Sequence, residues 1–240
     1  MTKSKYLIIA EKIREKIQQG VYQPNTILPD QETLAQEMNV SRLTVKKALD
    51  GLERQGIVYK QSGLGTFVAG DTPIKDEIDA PSNFFTGLGN ELGKDRIKSK
   101  VLNFTVEFPD QAIQKNLSLK KNEPVYNITR LRLLDDEPYI LEYTFMPVKL
   151  VPDLDEKVLH DSIYNYIHHK LHLKFGRAYR KIKAVRSEEN DLLYLQADKN
   201  DPLLELEQIV WLTNGQPIEY SRSRSRFDRR AYTVVENNRF

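Results

Sequence analysis

The chain has 240 residues, of which 40% are hydrophobic and 29% are charged, and its net charge is +2. This mixture is typical of a folded globular protein and is too apolar for a disordered chain. No cysteine is present, which excludes disulfides, thiolate metal sites and cysteine nucleophiles. The sequence contains no run of about 18 apolar residues and begins with no signal peptide, so we expect a cytoplasmic protein without a membrane partner.

The first 70 residues predict three helices and a small hairpin. Apolar positions at three- and four-residue steps form one stripe on each helix. Asp30 and Ser41 precede the second and third helices as N-caps, and Gly20 ends the first. In chain order the elements are helices at residues 5–19, 30–38 and 41–55 and strands at residues 57–60 and 66–69.

Residues 71–82 contain prolines and several charges, and we interpret them as a linker between residues 1–70 and a second domain, residues 83–240. In that domain the pattern predicts strands at 97–106, 125–134, 138–146, 177–186, 203–213 and 217–227, and helices at 83–92, 109–117, 161–172 and 188–195. Turn sequences at 135–138 and 213–216 predict hairpins, so we expect a mainly antiparallel sheet and an α+β fold.

The third helix carries polar and basic side chains at its N-terminal end, which suits a helix that enters the major groove of DNA. Arg42 can pair with guanine, while Ser41 and Thr44 can donate to phosphates or bases. Lys46 and Lys47 can neutralise phosphates. A helical hairpin with a basic, solvated face would show the same pattern, so periodicity and charge alone leave both interpretations open.

A further set of residues in this half follows the spacing of a known protein family almost without gaps. The set consists of Leu28-Pro29, Leu34-Ala35, Val40–Val45, Ala48-Leu49, Leu52, Gly56 and Gly63–Val68. On these residues, positions 5–69 resemble the GntR family of bacterial regulators, whose DNA-binding unit is a winged helix-turn-helix. The resemblance implies that Arg42, Thr44 and Lys46 face operator DNA and that Gly65 lies at the wing tip near the minor groove. Glycine at positions 63 and 65 would let the backbone approach a groove without side-chain obstruction.

Two positions depart from the family pattern. The family usually has a basic residue where this chain has Glu32, after Asp30-Gln31, and Glu32 cannot contact phosphate as a cation would. Leu43, the second helical residue, offers only apolar contact, for instance to a thymine methyl group. We expect a homodimer on double-stranded operator DNA, because two recognition helices that read two half-sites need a two-fold axis.

In the second half, Arg130 and Arg132 lie two apart on a predicted strand, so they share a face and could clamp a phosphate or carboxylate. Glu142 lies on the predicted partner strand, and Ser162 and Tyr164 lie in the predicted helix at 161–172. Cross-strand ion pairs on a solvated sheet face would explain the same arginines. On the last long strand, Glu219 shares a face with Ser221, Ser223 and Ser225, and Arg222, Arg224 and Arg226 occupy the other.

The residues that carry a second resemblance are Ile128–Arg132, Pro138, Glu142, Met146-Pro147, Ser162–Tyr164, Pro202–Leu204, Asn214-Gly215 and Pro217–Ser221. On them, residues 83–237 resemble UTRA, the effector-binding domain of the HutC branch of the family, which has a chorismate-lyase-like α+β fold. The resemblance implies a phosphate site of Arg130, Arg132, Ser162, Tyr164 and the Phe85-Thr86 loop. It also implies that Glu142 and Glu219 contact the sugar.

Ser225 stands where relatives that sense amino-sugar phosphates have tyrosine, which enlarges the cavity on that side. The segments Pro29-Asp30 and Ile97–Lys100 resemble regulators of β-glucoside or glucomannan utilisation, so we expect a 6-phospho-β-glucoside or a similar phosphosugar as effector. The alternatives are an enzyme with a lyase-like domain and a pure interaction module. His168 and His172 could share one helix face with a metal, but no carboxylate completes the set, so we expect neither metal nor cofactor.

Overall fold

The computed structural model describes residues 5–70, 79–81, 88 and 92–234, and the chain divides into two compact units. The first unit comprises Met1–Asn83 together with Tyr232–Phe240, and the second comprises Phe84–Ala231. Most of the predicted linker and of the predicted helix at 83–92 lies outside the described residues. In the part of the chain that is described, no helix is long and apolar enough to cross a membrane.

The first unit contains three helices and a hairpin, with bounds α1 Lys5–Gln18, α2 Gln31–Glu37, α3 Arg42–Arg54, β1 Val58–Gln61 and β2 Gly65–Val68. Their apolar stripes meet in one core that includes Ile9, Ile13, Leu34, Val45, Leu49, Leu52, Val58 and Val68. Both predicted caps form: the Asp30 carboxylate accepts from the backbone N–H of Thr33 at 2.8 Å, and the Ser41 hydroxyl accepts from that of Thr44 at 3.2 Å. A short strand, β3 Asp79–Pro81, pairs with β10, Ala231–Thr233.

The second unit is built on a six-stranded antiparallel sheet in the order β4-β5-β6-β9-β8-β7. The strands are β4 Ile97–Glu107, β5 Val125–Leu134, β6 Glu137–Pro147, β7 Phe175–Arg186, β8 Pro202–Leu212 and β9 Pro217–Arg226. The helices are α4 Gln111–Leu117, α5 Glu156–His160, α6 Ile163–Asn165 and α7 Glu189–Tyr194. The predicted α+β class, with its mainly antiparallel sheet, is therefore confirmed.

Two predicted hairpins form by different turns. Asp135 and Asp136 both have positive φ, 51° and 69°, which is the backbone of a two-residue type I′ turn. At the second hairpin Gly215 has φ 85°, and its N–H donates to the Leu212 carbonyl at 2.9 Å, which closes a longer turn. Short turns of both kinds keep neighbouring strands antiparallel and in register.

Helices cover both faces of the sheet. We call the face under α5 and α6 the front face; there Leu159, Ile163 and Ile167 share a core with Ile128 and Val210. The back face is covered by α4 and α7, where Ile113 and Leu117 pack with Val125, Phe145 and Tyr220, and Leu195 packs with Leu131 and Leu141. Side chains alternate between the faces along each strand, so one strand can supply residues to two separate environments.

The helix predicted at 161–172 forms as α6 and a π-helical turn, with Ser162 at its start, and an unpredicted short helix, α5, precedes it. The Asp155 carboxylate accepts from the Val158 N–H at 2.9 Å and starts α5 earlier, whereas the Ser162 hydroxyl accepts from the Asn165 N–H at 3.2 Å and starts α6. Two caps seven residues apart therefore start two separate short helices, of which the sequence predicted only the second. A π-helical turn, Tyr166–Lys170, then follows α6 directly.

Candidate DNA-reading surface and effector site

The N-terminal end of α3 presents the side chains that the sequence predicted for DNA contact. Arg42, Lys46 and Lys47 are exposed, and 60% of the Leu43 surface is accessible. None of these three cations forms an ion pair with a residue that the structure describes. The Ser41 hydroxyl lies 2.9 Å from the hydroxyl of Thr44, so this pair closes the start of the helix while the cations project from it.

An open cleft lies beside these side chains, lined by Gln31 of α2 and by Arg42, Leu43 and Lys46 of α3. Asp30 caps α2 next to this cleft, and the pKa of its carboxyl is lowered mainly by the Thr33 backbone N–H, with a smaller contribution from the charge of Arg42. Arg42, Leu43 and Lys46, which the sequence assigned to DNA contact, therefore share one surface with a polar side chain, Gln31, that it did not.

The wing is held beside α3 by ion pairs and ends in two glycines. Lys60 of β1 donates to Glu53 of α3 at 2.7 Å and also pairs with Asp50. Gly63 and Gly65 have φ of 76° and 128°, values that residues with a side chain rarely adopt. A Cβ at Gly65 would also lie 3.0 Å from the Ile27 side chain. Both glycines are thus required by the turn itself, whatever they contact.

On the front face of the second unit, Arg130, Arg132 and Glu142 form a cluster that we call the arginine end. Arg130 and Glu142 are direct cross-strand partners, and their side chains are joined at 2.8 Å. The other Arg130 amino group donates to the Leu159 carbonyl at 2.9 Å, while Arg132 reaches Glu142 only at 3.5 Å. Each arginine is 6% exposed, so the solvated-face interpretation is wrong for this pair.

The arginine end has more buried donors than acceptors. The Nε groups of Arg130 and Arg132 and the hydroxyls of Ser99 and Ser225 are buried and have no hydrogen-bond partner within the described residues. Ser99 is the cross-strand partner of Arg132 on β4. Burial alone would raise the pKa of Glu142, but the two arginine charges outweigh it and lower that pKa. Two cations thus face one ionised carboxylate.

A second cluster, the glutamate end, consists of Glu219, Gln208, Tyr164, Ser221 and Arg180. The Gln208 amide N–H groups donate to Glu219 at 2.8 Å and to the Tyr164 phenol at 3.2 Å, and Ser221 donates to Glu219 at 2.6 Å. The Arg180 Nε–H donates to the Gln208 carbonyl oxygen at 3.0 Å. Burial raises the pKa of Glu219 and that of Tyr164. Both shifts favour the uncharged form of the side chain.

The two ends belong to one electrostatic system. Burial is the main cause that lowers the pKa of Arg130, while the charges of Glu142 and Glu219 act in the opposite direction. Thr144 and Ser221 are paired neighbours on β6 and β9, two residues along the strands from the pair Glu142 and Ser223. The front face therefore carries a cationic end and a hydroxyl- and amide-rich end, within electrostatic reach of each other.

The structure arranges some predicted site residues differently from the resemblance. Tyr164, expected at the phosphate, hydrogen-bonds within the glutamate end. The hydroxyl of Ser162 is engaged as the cap of α6. Ser225 is 1% exposed and continues the front-face series of Glu219 along β9. Phe85 and Thr86 lie outside the described residues.

Sequence reasoning missed Gln208, Arg180 and Ser99. Gln208 had a detectable signal, because it interrupts a two-residue apolar period between Leu206 and Val210 on β8. A polar residue in such a period requires a partner once the strand is buried. Ser99 and Arg180 had no comparable signal, because serine and arginine on an edge strand are exposed to solvent as often as they are buried in a site.

The back face carries a different arginine cluster. The Ser-Arg alternation of β9 divides as predicted, with serines in front and arginines behind. Arg224 donates to Glu205 at 2.7 Å and to Asp191 at 2.8 Å, and it pairs with Glu188 at 2.9 Å. Lys183 also pairs with Glu205, at 3.0 Å.

The histidines of the π-helical turn have local partners. The His168 ring contacts the Leu173 carbonyl through Nδ1 at 2.9 Å, and it stacks on Phe175 with 6.3 Å between ring centroids. In the described ranges no group of three or more histidine, aspartate or glutamate side chains is arranged to hold a metal ion. His168 therefore contributes to packing beside the glutamate end, through Phe175, which lies 4.6 Å from the Tyr164 ring.

Comparison with known families assigns both halves of the chain. Residues 5–68 match the model described as bacterial regulatory proteins, gntR family. Residues 93–230, more than half of the chain, match the UTRA domain. The chain belongs to the GntR family. It carries the UTRA effector domain that the sequence predicted.

Individual relatives agree with this assignment over at least 95% of their lengths. The HTH-type transcriptional regulator GmuR of Bacillus subtilis (strain 168) is 42% identical over 236 residues, covering 98% of this chain and 100% of GmuR. The mannosyl-D-glycerate transport/metabolism system repressor MngR of Escherichia coli (strain K12) is 30% identical over 232 residues, covering 96% and 95%. The crystal structure of YydK, a possible transcriptional regulator from B. subtilis, matches with a TM-score of 0.80 and 29% identity, covering 98% and 100%.

As a GntR-family member, the chain is a DNA-binding transcriptional regulator whose UTRA domain takes a small-molecule effector. These relatives are named as regulators and not as enzymes, which decides against the lyase alternative. The match to a DNA-binding family likewise decides against a pure interaction module.

Proposed function

We propose that this regulator is a cytoplasmic homodimeric repressor of a carbohydrate-utilisation operon, released from double-stranded operator DNA by a phosphorylated sugar of the 6-phospho-β-glucoside type. In this proposal residues 1–70 bind DNA, residues 71–82 link the domains and residues 83–240 bind the effector and form the dimer. The observation that carries it is the excess of buried, unpartnered donors around Arg130 and Arg132.

A phosphate suits the arginine end because of both charge and donor number. Two guanidinium groups share one carboxylate, so the cluster lacks negative charge. The four unpartnered groups, two Nε–H and two hydroxyls, all can donate, and a phosphate offers three oxygens that accept. An unmade hydrogen bond at a buried group costs about 1–3 kcal/mol, so a ligand that satisfies several of these groups gains affinity from each.

The sugar part of the proposal is supported by the glutamate end. Amide, phenol, hydroxyl and carboxyl groups lie together there, and such groups bind neutral hydroxyls rather than anions. MngR is named as the repressor of a mannosyl-D-glycerate system, which supports a role in carbohydrate metabolism for this relative of it. Ser225, where a larger side chain would reduce the space, is consistent with an effector larger than a monosaccharide phosphate.

For the DNA half, Arg42, Leu43 and Lys46 would contact base edges or phosphates, Lys47 would neutralise phosphates, and the glycines of the wing would approach the adjacent groove. A homodimer would place two α3 helices in half-sites about one helical turn apart. Effector binding that disfavours the DNA-bound arrangement by about 1–3 kcal/mol would weaken operator affinity about 5–150-fold.

Thermal unfolding tests the effector half. We expect cellobiose 6′-phosphate to raise the melting temperature, and cellobiose or glucuronate to have little effect, because ligand binding stabilises the folded state by mass action. Arg132→Gln should abolish the shift, whereas Arg96→Gln, at an exposed arginine just before β4 that pairs with Asp135 in the β5–β6 turn, should preserve it. A shift that survives in Arg132→Gln, or that glucuronate produces equally, would contradict a phosphate site at the arginine end.

Fluorescence anisotropy with an operator selected from random duplexes tests the DNA half. Affinity should fall steeply with salt, and Lys47→Ala should reduce the slope of log affinity against log salt by about 1. Arg42→Ala should weaken binding and relax base preference at one position of each half-site. Equal loss on all sequences would show that Arg42 contacts only the backbone.

A further inference from the structure

We infer that Gln208 is a positioning residue that, held by Arg180, directs one oxygen of Glu219 toward a hydroxyl of the effector. This inference deepens the proposed function and rests on it, because it concerns the sugar-binding end of the same site. It assigns roles to two residues that the resemblance to sensing domains did not include.

The first step concerns the orientation of the Gln208 amide. A guanidinium group can only donate, so the 3.0 Å contact from Arg180 Nε identifies the amide oxygen of Gln208. The amide nitrogen must then point the other way, where its two N–H groups meet Glu219 at 2.8 Å and the Tyr164 phenol at 3.2 Å. Arg180 therefore determines which side of Gln208 faces the glutamate end.

The second step concerns the two oxygens of Glu219. Gln208 and Ser221 both donate to Oε1, at 2.8 and 2.6 Å. Oε2 is buried and has no hydrogen-bond partner among the residues that the structure describes. The Tyr164 phenol also lies close enough to this carboxyl to lower its pKa. With two donors on Oε1, Oε2 is the oxygen left for a ligand, and a sugar hydroxyl is the neutral donor that fits it.

The third step concerns how the sheet builds this arrangement. Arg180 of β7, Gln208 of β8 and Ser221 of β9 are consecutive cross-strand partners, so they form one row across three strands of the front face. Glu219 is two residues along β9 from Ser221, on the same face. Along β9 the row lies between Glu219 and Ser223, the cross-strand partner of Glu142, so it holds Oε1 of Glu219 at the boundary between the two ends.

The arrangement also gives the effector a fixed direction. An anion is attracted by Arg130 and Arg132, whereas a second anion at the glutamate end would meet the carboxyl group of Glu219. A ligand with one anionic end and several neutral hydroxyls satisfies both ends in only one orientation. Gln208 would therefore contribute to affinity for the sugar and not to affinity for phosphate.

Calorimetric titration with two probes, inorganic phosphate and cellobiose 6′-phosphate, separates these contributions. Gln208→Met keeps the side-chain length but removes all three amide hydrogen bonds, so we expect about tenfold weaker binding of the phosphosugar and unchanged binding of phosphate. Gln216→Met, the same substitution at an exposed turn residue between β8 and β9, is the matched control and should change neither affinity.

A pH series provides a readout that a purely structural role would not move. The N–H of Gln208 is one of the groups that lower the pKa of Glu219, against the larger effect of burial. In Gln208→Met we therefore expect the ratio of phosphosugar to phosphate affinity to rise with pH through a midpoint higher than in the unsubstituted protein. Arg180→Met should also lose part of the ratio, and Arg180→Lys, which restores a donor, should recover part of it.

The outcomes distinguish the inference from the proposed function. Equal weakening of both probes by Gln208→Met, or no weakening of either, overturns the role of Gln208. If Arg132→Gln leaves both affinities unchanged, the phosphate site is wrong, although a selective effect of Gln208→Met would still support its positioning role. If the unsubstituted protein binds neither probe, both proposals fail.

Discussion

Two buried arginine clusters lie on opposite faces of the same sheet, and they are partnered in opposite ways. On the front face, Arg130 and Arg132 share the single carboxylate of Glu142. On the back face, Arg224 alone contacts three carboxylates, those of Glu188, Asp191 and Glu205. The residue type and the depth of burial are similar, so the difference lies in the supply of negative charge.

The pKa shifts of the two clusters show the same contrast. Burial lowers the pKa of Arg130, and the neighbouring charges do not reverse it. Burial acts in the same direction on Arg224, but hydrogen bonds to Glu188 and Glu205 and the charge of Asp191 outweigh it and raise that pKa. A buried arginine with its full set of partners holds the fold together, whereas one with too few partners is suited to an anionic ligand.

Arg224→Met provides the largest expected effect on stability. The substitution leaves Glu205 and Asp191 buried without their main cationic partner, and such a loss costs about 3–5 kcal/mol. Trp211 is the only tryptophan and lies on β8, so its fluorescence during urea unfolding reports on this unit. A loss below about 1 kcal/mol would show that the back-face cluster is not structural.

Arg132→Gln should have a much smaller effect on the unliganded protein. Glu142 keeps its 2.8 Å contact with Arg130 after the substitution, so no carboxylate is left without a partner. We expect the free energy of unfolding to change by less than about 1.5 kcal/mol. The loss should appear with effector present: at 100 times Kd the ligand adds about 2.7 kcal/mol, and Arg132→Gln should remove this addition.

The comparison can be reversed by measuring Arg224→Met and Arg132→Gln under both conditions. If Arg132→Gln destabilises the free protein as much as Arg224→Met does, the front-face cluster is structural as well. If Arg224→Met folds and still responds fully to the phosphosugar, the two clusters are independent in function.

Acidic residues on the two faces should respond to pH with opposite signs. Burial raises the pKa of Glu219, so its contribution to stability is present below the unfolded value of about 4.3 and is lost as pH rises through the raised pKa. Glu219→Gln should therefore gain stability relative to the unsubstituted protein as pH rises above about 4.3. Melting temperatures across pH 4–8, about the range in which the protein is expected to fold, measure this gain.

Glu205 supplies the contrast for that experiment. Burial would raise its pKa, but hydrogen bonds from Arg224 and Lys183 outweigh burial and lower it. Its contribution to stability is present above the unfolded pKa and is lost as pH falls through the lowered one. Glu205→Gln should accordingly cost most at neutral pH and less in acid; parallel pH profiles for the two variants would contradict the assigned directions.

Sequence periodicity predicted most of the fold, because the helices, caps and turns of this fold depend on local patterns. The stripes of α1 and α3, the caps Asp30 and Ser41 and the turn at Asp135-Asp136 are local, and the structure has them where they were expected. Helix α5 was missed because a helix of five residues is too short to show a periodic apolar stripe.

The candidate site was only partly predictable because it depends on cross-strand register. Arg130, Arg132 and Glu142 could be placed together, since a hairpin joins their strands. Gln208 and Glu219 are also on hairpin strands, but the sequence does not show that Arg180 orients the amide or that Tyr164 reaches them from α6. Side-chain direction above a sheet is decided by packing against other elements.

The smallest expected effect comes from a third arginine, Arg226, two residues after Arg224 on the same face of β9. It pairs with Asp228 at 2.7 Å, but its side chain is 24% accessible to solvent and that of Asp228 is 39% accessible. Water and salt screen such a pair, so Arg226→Gln should cost only about 0.2–1 kcal/mol and less at high salt. Urea unfolding at low and high salt measures it beside Arg224→Met. A cost equal to that of Arg224→Met would mean that strand position, and not burial with three carboxylates, sets the importance of these arginines.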